Sequence, residues 1–262
     1  MEKILICTRL FNSSFLVEDP LKEIRVSISP PIIELSLRPL TEYMFSISFA
    51  NLSTVGLKVV ADVSPFTFEE NGTLIILEKP DRWSCRDWIT LEDREFTVFP
   101  GDMYMVNGKI SVPIDATGGR HSAVTFDINT SNSTLRGMGV KIKTGTLIFV
   151  SIPSTERREL SLESFSIEKS TSEEVIFSTV LNNLGNTYLK IEGNVNIKDA
   201  QGKRIRTIPL KDVSTILPGG RRMIRTTWRY PKTRDFTAYL KVNYGGSSCI
   251  EEKITGKVGY EI

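Results

Sequence analysis

The chain has 262 residues, with 33 Lys+Arg against 31 Asp+Glu and a formal net charge of +2. That balance argues against a polyanion-binding tail or an acidic solvating segment as the main character of the chain. Hydrophobic residues at 40% and charged residues at 24% are enough for packed cores. One histidine and three cysteines leave little material for a metal cage or a His-based catalytic centre, and no apolar run reaches the roughly 18 residues that would cross a bilayer.

Residues 1–23 are expected to form an N-terminal arm or an atypical export signal. Lys3 supplies a basic start, but the apolar stretch 4–7 ends at Arg9, short of the roughly 7–15 apolar residues of a working signal. Beyond it the periodicity is close to two. Tyr43, Phe45, Ile47 and Phe49 alternate with Met44, Ser46 and Ser48, and Leu57, Val59, Ala61 and Val63 repeat the pattern. Such alternation predicts strands with one face on a core and one in water. Turn signals separate the runs: Asn-Gly at 71 and 107, Pro-Gly at 100 and 218, Gly-Gly at 118, 219 and 245. The last two strands, 237–244 and 249–262, are predicted to pair through the loop at 245–248. No stretch carries a helical stripe of three turns, so the chain reads as all-β.

The chain also repeats itself. Residues 49–59, Phe-Ala-Asn-Leu-Ser-Thr-Val-Gly-Leu-Lys-Val, lie over residues 181–191, Leu-Asn-Asn-Leu-Gly-Asn-Thr-Tyr-Leu-Lys-Ile, at an offset of 132. At the same offset Tyr43, Phe45, Ile47 and Phe49 fall on Val175, Phe177, Thr179 and Leu181. Further on, Pro100-Gly101 and Pro113 match Pro218-Gly219 and Pro231, with Val106, Ile110 and Val112 on Ile224, Trp228 and Tyr230, at an offset of 118. The first copy therefore holds 14 extra residues between Val63 and Phe96. Two units of roughly 100 residues, with turn signals every 8–12 residues, predict two tandem immunoglobulin-like β-sandwiches. Their expected limits are 24–152 and 158–262, with a linker at 153–157. The Cys…Trp…Cys pin of antibody domains is missing, so the likeness is one of architecture.

Several phrases carry a family resemblance. In the first unit they are the Ser-Pro-Pro-Ile-Ile-Glu-Leu-Ser-Leu run from Ser29, Phe99-Pro-Gly with Val112-Pro, Gly137-Met-Gly-Val and Ile152-Pro. In the second they are Asn183-Leu-Gly-Asn, Lys198-Asp-Ala-Gln-Gly, Leu217-Pro-Gly and Trp228. Together they resemble the WxL-interacting type of bacterial cell-surface protein and, more distantly, the two-domain periplasmic pilus chaperones. The first resemblance implies cell-wall association and a partner surface protein. The chain departs from that family's usual form in lacking a C-terminal membrane span. It departs from the chaperones in lacking an Arg-hydrophobic-hydrophobic-aromatic phrase near the first strand.

Two groups of residues are candidate binding sites. The insertion of the first unit holds Asp81, Trp83, Asp87 and Trp88, where indole faces beside hydrogen-bonding charges suit a sugar ring or a protein interface. The alternative is that one or both indoles fold down to seal the sandwich end. Arg221, Arg225 and Arg229 recur on one face of a strand whose other face is Ile224, Trp228 and Tyr230. With Lys203, Arg204 and Arg206 they form either a basic patch or a solvated face paired with glutamates. Aromatics are not interleaved with these arginines, which argues against nucleic acid. His121 has no identifiable nucleophile or orienting group and is expected at the surface or a strand edge. Cys85 and Cys249 fall in different predicted domains, and each is expected to be a free, buried thiol. No cofactor, metal set or catalytic motif is implied.

The expectation is therefore a non-catalytic, extracytoplasmic module without an integral membrane span, presenting loops to a surface protein or a cell-wall polymer. The alternative is a periplasmic-type assembly chaperone acting by β-strand donation. A strand left open at a sheet edge would favour the second, and capped edges with a tryptophan-rich loop the first.

Overall fold

The computed structural model describes residues 24–130, 142–210, 215–245 and 249–259. The N-terminal arm at 1–23, the phrase at 137–140 and most of the 245–248 loop lie outside them. Among the described residues the regular structure is strand throughout, apart from a 3-10 turn at Arg86–Trp88. The chain divides into two compact units: residues up to Thr67 with Leu74–Thr155, and Glu156–Ile262 together with Phe68–Thr73.

The first unit runs β1 (Val26–Ser29), β2 (Ile32–Ser36), β3 (Glu42–Asn51), β4 (Leu57–Ser64), β5 (Phe66–Phe68), β6 (Leu74–Ile76), β7 (Ile89–Leu91), β8 (Glu95–Val98), β9 (Met103–Ser111), β10 (Gly119–Thr130) and β11 (Ile142–Ser151). One sheet has the order β1-β3-β9-β7 and the other β2-β11-β10-β4-β8, with β5 and β6 paired as a separate ribbon. The first strand changes sheets. Val26 and Ile28 bury beside β3, Pro30-Pro31 intervenes, and β2 then pairs with β11 in parallel. Two successive prolines supply no N–H, so a ladder has to break there. The peptide bond between Ser29 and Pro30 is cis.

The second unit runs β12 (Leu160–Ser170), β13 (Glu174–Asn183), β14 (Leu189–Lys190), β15 (Glu192–Asp199), β16 (Arg204–Pro209), β17 (Thr215–Ile216), β18 (Arg221–Arg229), β19 (Asp235–Asn243) and β20 (Cys249–Lys257). Its main sheets are β12-β13-β18 and β16-β15-β19-β20, with a short β14-β17 pair. In the first unit, β1-β3-β9-β7 over β11-β10-β4 is the ABED-over-GFC order of an immunoglobulin-like sandwich. In the second, β12-β13-β18 over β20-β19-β15 repeats it, with no D strand among the described residues.

Each sandwich closes on its own core. Ile47, Phe49, Val106, Val124, Phe126 and Ile148 centre the first, and Val175, Phe177, Leu181, Val195, Ile197 and Leu240 the second. Aromatic rings meet edge-to-face in both: Phe49 on Phe126 at 5.4 Å, and Trp228 on Phe236 at 5.3 Å between centroids. That geometry sets the positive ring edge against the negative ring face.

The repeat persists at atomic detail. Asn51 and Asn183, 132 residues apart, are both fully buried at the ends of β3 and β13. Asn51 donates its side-chain amide to the carbonyls of Val55 and Val98, and its Oδ1 accepts the N–H of Ser53. Asn183 does the same with Thr187, Ile216 and Gly185. The N–H groups of Gly101 and Gly219 bond the backbone carbonyls of these two asparagines. Val98 and Gly101 sit 118 residues before Ile216 and Gly219, which is the second sequence offset. Both glycines have positive φ, +81° and +72°, a region that a side chain disfavours.

Two of the aligned aromatics leave the pattern. Tyr43 is exposed beside the buried Phe45, Ile47 and Phe49. Tyr230 does not share the inner face of β18 with Ile224 and Trp228: it follows the strand at φ +52° and is 73% exposed, whereas its counterpart Val112 is buried. The strand ends at Arg229, so period-two alternation no longer dictates where the next side chain points.

Candidate binding surfaces

The tryptophan segment is fastened to the start of β10. The N–H of His121 bonds the carbonyl of Trp83 at 2.9 Å, the N–H of Cys85 bonds the carbonyl of His121 at 3.1 Å, and Ser84 and Ser122 join through their hydroxyls. Residues 83–85 thus add a short parallel bridge to the strand, with Ser84 opposite His121. Asp81 shapes the approach, since its Oδ1 accepts the N–H of Trp83 at 2.9 Å. This is the local turn that a short carboxylate side chain favours.

Alternation along β10 then separates two neighbours. Arg120 lies on the face that carries Val124, Phe126 and Ile128 into the core, at the end of the sandwich, and His121 lies on the opposite face of the sheet, buried against Phe66. The Arg120 guanidinium lies 5.4 Å from the Trp83 ring and 5.9 Å from the Trp88 ring, and Arg82 covers Trp83 at 4.6 Å. Trp83 is thus flanked by two cations, which its negative ring face attracts. Trp88 packs on the core and is half-buried. Asp81 and Asp87 are exposed. The two indoles share one guanidinium, and neither lies fully in solvent nor fully in the core.

His121, expected at the surface, is buried at 2% exposure, and its ring meets Phe66 edge-on at 4.9 Å. Its Nε2 lies 3.1 Å from the Phe66 carbonyl, so this nitrogen carries the proton and donates it. Nδ1 has no partner. Burial pushes the imidazole pKa down to about 4. Burial also pushes the neighbouring Cys85 thiol up to about 12. A neutral imidazole whose proton is committed and a thiol that stays protonated make neither a base nor a nucleophile near neutral pH. Cys249 is exposed, against the expectation of a buried thiol. It opens the edge strand β20 and alternates with the next residue, Ile250, which packs against the core.

The arginine stripe stands on the outer face of β18, and two of its members are paired. Arg221 grips Glu163 with two N–H groups at 2.8 and 2.6 Å and also contacts Glu70. Arg225 bonds Glu168 at 2.7 Å. The charge-assisted bonds from Arg221 hold the Glu163 carboxyl down at about 2. Arg229 is exposed opposite Glu174. Lys203, Arg204 and Arg206 do not join the stripe, because β16 belongs to the other sheet of the sandwich. The geometry of the stripe is thus a carboxylate-laced face.

Arg222, on the inner side of the same strand, carries no mark in the sequence pattern. It is 6% exposed, donates to the Thr215 carbonyl at 2.8 Å and lies over the Phe68 ring at 5.3 Å. Burial lowers its pKa. The backbone N–H of the next residue, Met223, bonds the Glu70 carbonyl, so segment 68–73 is held to β18 by main chain and side chain.

One sheet edge is incompletely covered. Strand β2 pairs only with Leu147–Ser151 of β11. Among the described residues no strand lies beside 142–146 on that edge. Leu147 donates its N–H to Pro31 there. Backbone groups alternate along a strand, so those of Lys143 and Gly145 point the same way. Ile142 packs against the core at this open end.

Among the described residues no helix is long and apolar enough to cross a membrane, and no three His, Cys, Asp or Glu side chains group as metal ligands. No family model matches the chain, and no curated protein matches it. The WxL-interacting resemblance thus rests on its turn phrases alone. Similar solved structures include the class 5 fimbriae chaperone CfaA, at 12% identity, TM-score 0.44 and coverage of 89% of this chain and 99% of that one. The Escherichia coli chaperone DraB is 11% identical, at TM-score 0.40 and coverage of 90% and 97%. A Porphyromonas gingivalis protein of unknown function is 14% identical, at TM-score 0.31 and coverage of 89% and 99%.

Proposed function

We propose that this chain is a non-catalytic, extracytoplasmic module that binds a partner polypeptide by strand addition along the open half of β11, in the manner of an assembly chaperone. The observation that carries the reading is the half-covered edge: β2 occupies residues 147–151 and leaves Lys143 and Gly145 with outward backbone groups. An extended segment placed there gains main-chain hydrogen bonds and sets alternate side chains beside Ile142, over the core. Such binding is selective through side-chain size at the open end and indifferent to most of the partner's sequence.

The test is a photo-cross-linking side chain at Lys143 of the full chain in its native cells. Adducts are expected with an extended segment of one exported polypeptide, and Lys143→Pro is expected to abolish co-purification of that polypeptide. Proline is tolerated on an edge strand when the lost N–H faces outward, so the variant should fold. Undiminished co-purification with Lys143→Pro would reject the edge as the contact. A second reading, a scaffold presenting loops to a surface protein or wall polymer, is favoured by Trp83 between Arg82 and Arg120. Trp83→Ala in the same experiment separates the two, since it removes capture only if the loop is the contact.

A further inference from the structure

The outer face of the four-stranded sheet in the second unit carries an open hollow. A cavity of about 500 Å³ is lined there by Asn196, Lys198, Arg204, Tyr239, Lys253 and their neighbours. The strand registers fix the layout. Thr207, Asn196, Tyr239 and Lys253 form one row across β16, β15, β19 and β20, and Arg204, Lys198, Thr237 and Thr255 form the next. Adjacent strands are ~4.8 Å apart and same-face residues ~6.8 Å apart along a strand. Arg204 and Lys198 are therefore close neighbours, and Lys253 stands roughly 12 Å from Lys198 across the Tyr239 ring.

The charges in this hollow are not balanced internally. Lys241 and Glu251 neutralise each other at 2.9 Å. Among the described residues Lys198, Arg204 and Lys253 have no carboxylate partner, against the single remaining acid Glu252, which accepts the Lys253 backbone N–H. Lys198 leans over the Tyr239 ring at 4.8 Å, which directs its ammonium into the hollow. The floor between the cations is neutral and polar: the Tyr239 hydroxyl, and Asn196 bonded to Asn194 and Thr207.

From this arrangement we infer that the hollow binds a linear anionic polysaccharide. Its cations are spread over two rows rather than converging on one point, which suits successive carboxylates or sulfates on a chain better than a single phosphate. The amide and hydroxyl floor suits the sugar hydroxyls between those charges. The site is separate from the β11 edge and does not depend on it.

The test is calorimetric titration of the full chain with hexagalacturonate, using maltohexaose as the neutral control. Inorganic phosphate and phosphatidylglycerol vesicles serve as the other anionic probes. Hexagalacturonate is expected to bind, to weaken between about 50 and 300 mM salt, and to lose at least about tenfold in affinity in K198E/R204E. The charge-matched variant K58E/K232E, altered at exposed lysines elsewhere, is expected to bind like the parent. Lys253→Gln alone is expected to cost about threefold. Equal affinity of K198E/R204E and K58E/K232E would overturn the assignment. So would maltohexaose binding as well as the uronate, binding of phosphate or vesicles alone, or binding of none of the probes.

Discussion

His121 and Cys85 are joined by a main-chain hydrogen bond, and burial removes both side chains from chemistry. The imidazole has lost its hydration, keeps one hydrogen bond and leaves Nδ1 without a donor. Its pKa of about 4 lies below the ordinary value of 6.5, so between those values the unfolded chain binds the extra proton and the native state does not. Stability should therefore be complete above about pH 6.5 and fall by roughly 3 kcal/mol as the pH drops to about 4, then level off as regards this group. Denaturant titrations across that range should show the slope in the parent and lose it in His121→Phe. Persistence of the slope would assign it to the carboxylates. The histidine's place could not be read from residue type. It opens a strand after Gly118-Gly119, on the face opposite Val124 and Phe126, and alternation does not say that this second face is covered by Phe66.

At the scale of elements, the repeated turn is the most legible feature of the chain. The asparagines that end β3 and β13 each satisfy two carbonyls and one N–H that the turn would otherwise leave buried and unpaired. Asn51→Ala and Asn183→Ala should each cost about 2–4 kcal/mol, because the orphaned backbone groups lose their partners without regaining water. Asn→Asp should be nearly as harmful, since a carboxylate cannot donate to the two carbonyls. Chemical denaturation of the four variants checks this. The alignment at two offsets was visible because turn residues are chosen for backbone geometry, which leaves a local mark. The half-covered edge of β11 left none: whether β2 runs beside all of that strand or only its second half depends on a parallel pairing more than 110 residues distant in sequence.

Across the whole molecule, the two cores share no residue. Calorimetry should accordingly show Asn51→Ala lowering one thermal transition and Asn183→Ala the other, each by several degrees for domains of this size. Joint movement of both transitions in either variant would mean that the two units unfold as one. The basic stripe and the basic hollow belong to the same scale. Both are lysines and arginines on exposed strand faces, and composition does not separate them. Glu163, Glu168 and Glu70 reach Arg221 and Arg225, while among the described residues no carboxylate reaches Lys198 or Arg204.

The all-β class, the strands of each core and the doubled unit are legible in the order of residues alone, because period-two burial and turn geometry are properties of a few consecutive residues. The folded arrangement settles which charges are neutralised, that the single histidine is buried and which sheet edge the described residues leave open. Those depend on residues brought together from strands far apart in the chain, and desolvation and ion pairing act on the distances between atoms rather than on their order.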